Sequence, residues 1–141
     1  MTLASGRPRI VITGLGGICA LGPDAPSIWS AMTDGRSGIG PITTTPLHDL
    51  KIGIGAEIKE LPERGIDRRQ LVTMDRFSHL AVLAAREALD HARLVVDETN
   101  AHRIGSIVGA GVSGMITIEE NYRNLLLHGK SRPDIFTVPK V

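Results

Sequence analysis

The sequence has 141 residues, with 16 basic and 15 acidic side chains for a net charge of +1, and 42% of it is hydrophobic. That is enough apolar material for the core of one domain, and the balanced charge excludes a whole-molecule pull toward nucleic acid or an anionic membrane. A single cysteine, Cys19, excludes an internal disulfide; the opening residues lack the apolar run of a signal peptide, and no stretch reaches the roughly 18 apolar residues of a membrane span.

These features set a reducing, cytoplasmic location as the default expectation. Aromatic residues are only 3% of the chain while glycine reaches 16, so a core has to come from Ala, Val, Ile and Leu packed around glycine turns, which suits layered α/β architecture. Residues 1–8 are expected to form a flexible tail ahead of a single unit over 9–141.

In chain order, Arg9 to Thr13 is a β-branched run halted by glycines at 14, 16 and 17, the pattern of a buried strand ending in a tight loop. Asp24 and Pro26 then open a short helix carrying Ile28, Trp29 and Met32, which stops at Gly35. Residues 51–58 alternate Ile52, Ile54, Ala56 and Ile58 and predict a half-buried edge strand. After an Arg-rich connection, Thr73 is placed to cap a long helix with Phe77, Leu80, Ala81, Ala84, Ala85, Ala88, Leu89 and Ala92 on one broad face. Its alanines allow close approach of neighbours and predict substantial burial. Arg103 to Gly109 reads as a second buried strand, followed by a helix with Ile118, Tyr122, Leu125 and Leu126 on one side, and Lys130 to Val141 as an extended tail.

Several motifs carry competing meanings. Gly109, Gly111 and Gly114 form a G-x-G-x-x-G between a predicted strand and a helix, as a dinucleotide site would require, but Asp134 stands where an acidic residue should end a further strand, and it follows a proline. A simple tight turn is the favoured alternative. Cys19 has no histidine or cation beside it in sequence to stabilise a thiolate, which favours a buried, inert side chain. Asp75/His79 and Glu87/His91 fall at i, i+4, a spacing that suits a metal but more simply gives solvent-facing pairs. Arg64, Arg68 and Arg69, together with Lys130 and Arg132, could receive an acidic or phosphorylated partner.

Six ordered blocks carry a resemblance: RIVITGLGGICALG at 9–22, IWSAMTDGRSGI at 28–39, MDRFSHLAVLAAREAL at 74–89, RIGSIVGAGVSG at 103–114, IEENYRNLL at 118–126 and IFTVPK at 135–140. Together the chain resembles the amino-terminal portion of the β-ketoacyl-acyl carrier protein synthases, of the type II and nodulation-protein kind. The resemblance implies an α/β, thiolase-like fold, this chain forming the amino-terminal part of its first half as layered helices and sheet. It also implies a homodimer, acyl carrier protein and acyl and malonyl thioesters as partners, and no redox or metal cofactor. The implied reaction is decarboxylative condensation on a cysteine thiolate, whose nucleophile and histidines are expected after Val141, leaving no catalytic residue within 1–141 and the segment inactive alone. Val112 is implied as an acyl-pocket gate, and Phe136, Thr137 and Val138 as lining the pocket of the partner subunit. Thr137 replaces a customary aromatic residue, which makes room for a longer chain. Arg68, Arg69 and Arg132 are implied as carrier-docking residues, while Val72 and Thr73 depart from a basic pattern. A chain-length-setting subunit without its own nucleophile is the alternative, and a dinucleotide-binding module a more distant one.

Overall fold

The structure is a computed structural model and describes residues 6, 8–44, 51–59, 61–62 and 66–141. Most of the expected 1–8 tail lies outside the described residues. Helices dominate. Helix α1 spans Ala25–Thr33, where the Asp24 side chain accepts the Ser27 amide at 2.8 Å and so satisfies a donor that the first turn leaves unpaired. Pro26 sits where its missing N–H is not needed. The chain leaves the helix through Gly35 at φ 67, with the Arg36 amide donating to the Ala31 carbonyl at 2.9 Å.

A two-stranded antiparallel sheet comes next, β1 at Gly40–Pro41 and β2 at Ile54–Gly55, in the register Gly40 opposite Gly55 and Pro41 opposite Ile54. The edge strand expected over 51–58 is therefore confined to two residues. Just beyond the pairing, Glu57 replaces further ladder bonds with a side-chain clamp: its carboxylate accepts the amide and hydroxyl of both Thr43 and Thr44, at 2.5–3.1 Å. The Arg76 guanidinium donates to the Ile58 carbonyl and ties this hairpin to the long helix.

Helix α2 is a single turn, Arg68–Leu71, and α3 runs Arg76–Ala92. Thr73 does not cap α3 as expected. Its hydroxyl donates to the Gln70 carbonyl at 2.9 Å and closes α2, and the cap passes to Asp75. The α3 C-cap is Arg93, in the left-handed region at φ 52, with its amide donating to the Asp90 carbonyl and the next amide, of Leu94, to Leu89. Helix α4 covers Met115–Leu126 and begins at Gly114, also left-handed. The expected extended tail is corrected by α5, a four-residue turn over Thr137–Lys140 packed on α4.

Two further expectations are corrected. The runs at 9–13 and 103–109 carry no strand pairing, and Ile10, Ile12 and Ile107 are almost wholly exposed. A strand exists through its ladder, and the described residues give neither run a neighbour to exchange hydrogen bonds with. Helix α3 is half-buried rather than substantially buried, Leu83 being its only fully covered apolar residue. One face of it is nevertheless in tight contact: a Cβ placed on Gly14 would lie 2.0 Å from the Ala88 carbonyl oxygen, and one on Gly16 equally close to that of Ala84. The glycine-rich loop thus lies backbone to backbone on α3, at a distance that only glycine at 14 and 16 permits.

Candidate functional site

The described chain has five buried residues of note: two apolar, Ala31 and Leu83, and three polar, Asp75, Thr117 and Asn121. The polar three form one chain of hydrogen bonds. Asp75 caps its own helix through the Arg76 amide, and its other oxygen accepts the Thr117 amide at 2.9 Å. Thr117 is the third residue of α4, whose N-cap, Gly114, has no side chain to offer. One carboxylate therefore caps two helices, and it faces the positive ends of both. Burial pushes the Asp75 pKa up, but hydrogen bonds from the Thr117 hydroxyl and amide and from the Arg76 and Phe77 amides outweigh it, holding the carboxyl below its usual range.

One turn along α4, the Asn121 amide nitrogen donates to the Thr117 carbonyl at 2.8 Å, while its oxygen accepts the Asp134 amide at 2.8 Å. Asp134 in turn organises the start of α5. Its carboxylate accepts the Phe136 amide, and its carbonyl accepts the Thr137 amide at 3.0 Å and hydroxyl at 2.6 Å. From the other side, the Ser113 hydroxyl donates to the Val141 carbonyl at 3.0 Å, and a Cβ on Gly114 would strike Val141 at 2.8 Å.

The loop bearing Val112 and the segment bearing Phe136, Thr137 and Val138 are thus held together at one end of α4. Phe136 and Thr137 are half-buried, while Val112 is 71% and Val138 86% exposed. Of the three arginines, Arg69 and Arg132 are exposed; Arg68 opens α2, and its side chain lies outside the described residues.

Opposite Asp75, α3 holds a second polar clamp that the i, i+4 spacing did not reveal. Of the pair expected to face solvent, His91 is exposed but Glu87 is half-buried, and both bond the loop. Glu87 accepts the Gly17 amide at 2.9 Å and the Ala25 amide at 2.8 Å, and His91 Nδ1 accepts the Leu15 amide at 3.1 Å. Three backbone donors of the 15–25 loop are satisfied by two side chains one helical turn apart. Likewise Asp75, expected to face solvent with His79, is buried. The signal available for Glu87 and His91 was the preceding Gly-rich loop with its many amides, whereas Asp75 bonds Thr117 of α4, which lies far along the chain.

Two grooves flank this clamp. One, of about 680 Å³, lies between the 18–23 loop and the hairpin and is lined by Cys19, Ile39, Glu57 and Ile58. The other, of about 580 Å³, lies between α1 and α3 and includes Trp29, Leu83, Glu87 and His91. Pro23 and Pro62 belong to both walls. Cys19 is half-buried rather than buried, and its sulfur accepts the Leu21 amide at 3.4 Å. None of the implied acyl or docking residues lines either groove. Among the described residues no group of three or more His, Cys, Asp or Glu side chains could hold a metal, and no helix is long and apolar enough to cross a membrane.

Among the described residues, the buried polar side chains fix the 112–114 loop and the 134–141 segment at one end of α4. Residues 7–139 match the β-ketoacyl synthase N-terminal domain, and the chain belongs to that family. It is similar to nodulation protein E from a Rhizobium species, at 64% identity over 94% of the chain and 33% of that protein. Similarity to nodulation protein E of Rhizobium meliloti is 54% over 92% of the chain and 32% of the relative. To 3-oxoacyl-acyl-carrier-protein synthase 2 of a Synechocystis species it is 38%, over 94% of the chain and 32% of the relative. The chain therefore spans about a third of the length of the curated relatives it matches.

Proposed function

We propose that this chain is the amino-terminal part of a 3-oxoacyl-acyl carrier protein synthase with a thiolase-like fold, acting in fatty acid or nodulation-type lipid synthesis. The observation that carries the proposal is the match to the β-ketoacyl synthase N-terminal domain across 7–139. The greater identity to nodulation protein E than to the synthase 2 enzymes favours the nodulation-type branch. In such a protein a thiolate takes the acyl group from its carrier thioester. Decarboxylation of malonyl-carrier protein then releases carbon dioxide and leaves a carbanion, which attacks the acyl carbonyl and expels the thiolate. Each step develops negative charge that fixed donors must stabilise.

No residue of this chain is assigned to those bonds. Its part is to shape and dock. Val112 gates the acyl chain, Phe136, Thr137 and Val138 line an acyl pocket across a homodimer, and Arg68, Arg69 and Arg132 receive the acidic carrier protein in the cytoplasm. The contacts between the 112–114 loop and Val141 support a fixed 136–138 segment, as a wall presented to a partner would need.

The test is made on the complete protein, with purified carrier protein, labelled malonyl thioester and a ladder of acyl thioesters. Carbon dioxide release and a 3-oxoacyl product are expected. Thr137→Phe should reduce kcat/KM for long acyl chains about tenfold relative to short ones, the scale on which a pocket discriminates methylenes. Paired replacement of Arg69 and Arg132 by Ala should raise KM for carrier-linked substrate alone, by roughly two- to fivefold, as expected for exposed charges. Absence of product with tight binding to a second, active synthase would favour the chain-length-setting subunit instead.

A further inference from the structure

We infer that Asn121 is a positioning residue for the Phe136–Val138 segment, so that acyl-chain preference is set in part from inside helix α4. The inference rests on the proposal that this segment forms an acyl wall. Asn121 is 8% exposed, and both ends of its amide are in use. Its nitrogen is turned to the Thr117 carbonyl in its own helix, which fixes the rotamer and leaves the oxygen directed outward to the Asp134 amide. Aspartate could accept but not donate, and leucine would leave the Asp134 amide without its acceptor.

What hangs from that one bond is the leading end of the wall, the trailing end being held where Ser113 donates to the Val141 carbonyl. Pro133 contributes no amide, and α5 is a single turn, far below the length at which a helix holds itself. Asp134 is thus the anchor, because its carboxylate and carbonyl together fix Phe136 and Thr137. Behind Asn121, Thr117 is fixed in turn by Asp75 at the start of α3. The leading end of the Phe136–Val138 segment is therefore referred through one buried amide to α4 and the long helix, not to the segment's own short turn.

The experiment uses the complete protein. Amide exchange on the unmodified protein should find Asp134, Phe136 and Thr137 protected relative to Arg132 and Ile135; Asp134 exchanging as fast as Arg132 overturns the inference without any variant. Asn121→Ser, polar but too short to reach both partners, should lose that protection locally and change the long-to-short ratio of kcat/KM about tenfold. Asn121→Asp, which still accepts from the Asp134 amide but loses the donor that fixes its rotamer, should give a ratio between those of the unmodified protein and Asn121→Ser. A lowered Tm with an unchanged chain-length ratio in Asn121→Ser overturns the positioning role. Thr137→Phe separates the two ideas: if it moves the ratio and Asn121→Ser does not, this inference falls and the acyl wall stands. If neither moves it, the acyl wall falls and the inference with it.

Discussion

A carboxylate that caps two helices concentrates stability in one side chain. Replacing Asp75 by Ala leaves a cap empty at α3 and the Thr117 amide buried without an acceptor, and should destabilise the complete protein by about 2–4 kcal/mol in urea unfolding. Asp75→Asn, with a single carbonyl oxygen, should lose about half of that. Because the folded-state pKa of Asp75 is depressed below its ordinary 3.8, its contribution is complete above that value and fades as the pH falls further. Glu57 behaves alike at the hairpin, where the Thr44 hydroxyl, then the Thr44 and Thr43 amides, hold its pKa down to about 2 from 4.5. Acid titration should loosen the hairpin only below about pH 4.5, and a Glu57 carboxyl that titrates at 4.5 would contradict the clamp.

Helices α1, α3 and α4 were legible, their ends less so, while β1, α2 and α5 were not anticipated. Asp24 with Pro26, and the long alanine-bearing period, located α1 and α3 within a residue or two. Thr73 misled because two hydroxyl or carboxyl candidates stood two residues apart, and the preceding single-turn helix claimed the threonine. The polar clamps were illegible because an i, i+4 spacing does not say which side of a helix faces a loop 62 to 76 residues distant. Val112 and residues 136–138 could be named through family resemblance, but Asn121 could not, since nothing in IEENYRNLL marks that asparagine as buried. Contact between the loop and α3 yields a sharper element-scale prediction. Gly16→Ala must move a carbonyl that lies 2.0 Å from the new methyl, and should cost about 1–3 kcal/mol in thermal unfolding. Gly40→Ala, with nothing within 4 Å, should stay within about 0.5 kcal/mol.

Across the whole molecule, surface area tells against self-sufficiency. The chain exposes 11545 Å², where a folded monomer of its 15.1 kDa is expected to expose about 7,100 Å². The excess includes Ile10, Ile12, Ile107 and Val108, the apolar runs that read as buried strands but lack partners among the described residues. Expressed as 141 residues, the chain should bind a hydrophobic dye and elute as aggregate or in complex; a clean monomer in size-exclusion chromatography would contradict this. The same absence of pairing explains why two strands legible in sequence are missing from the structure, since pairing belongs to the sheet and not to the run.

The seam between the glycine loop and the α3 stripe also constrains how such a chain can diverge. Gly14 and Gly16 lie against the backbone of Ala84, Ala88 and Ala92 with no room for a Cβ, so an exchange at either glycine has to displace helix backbone rather than a side chain. Variation has to accumulate on the outward side of α3 and along the hairpin. In a saturation library, positions 14 and 16 should tolerate the fewest exchanges along the loop, and new specificities should emerge around them rather than through them.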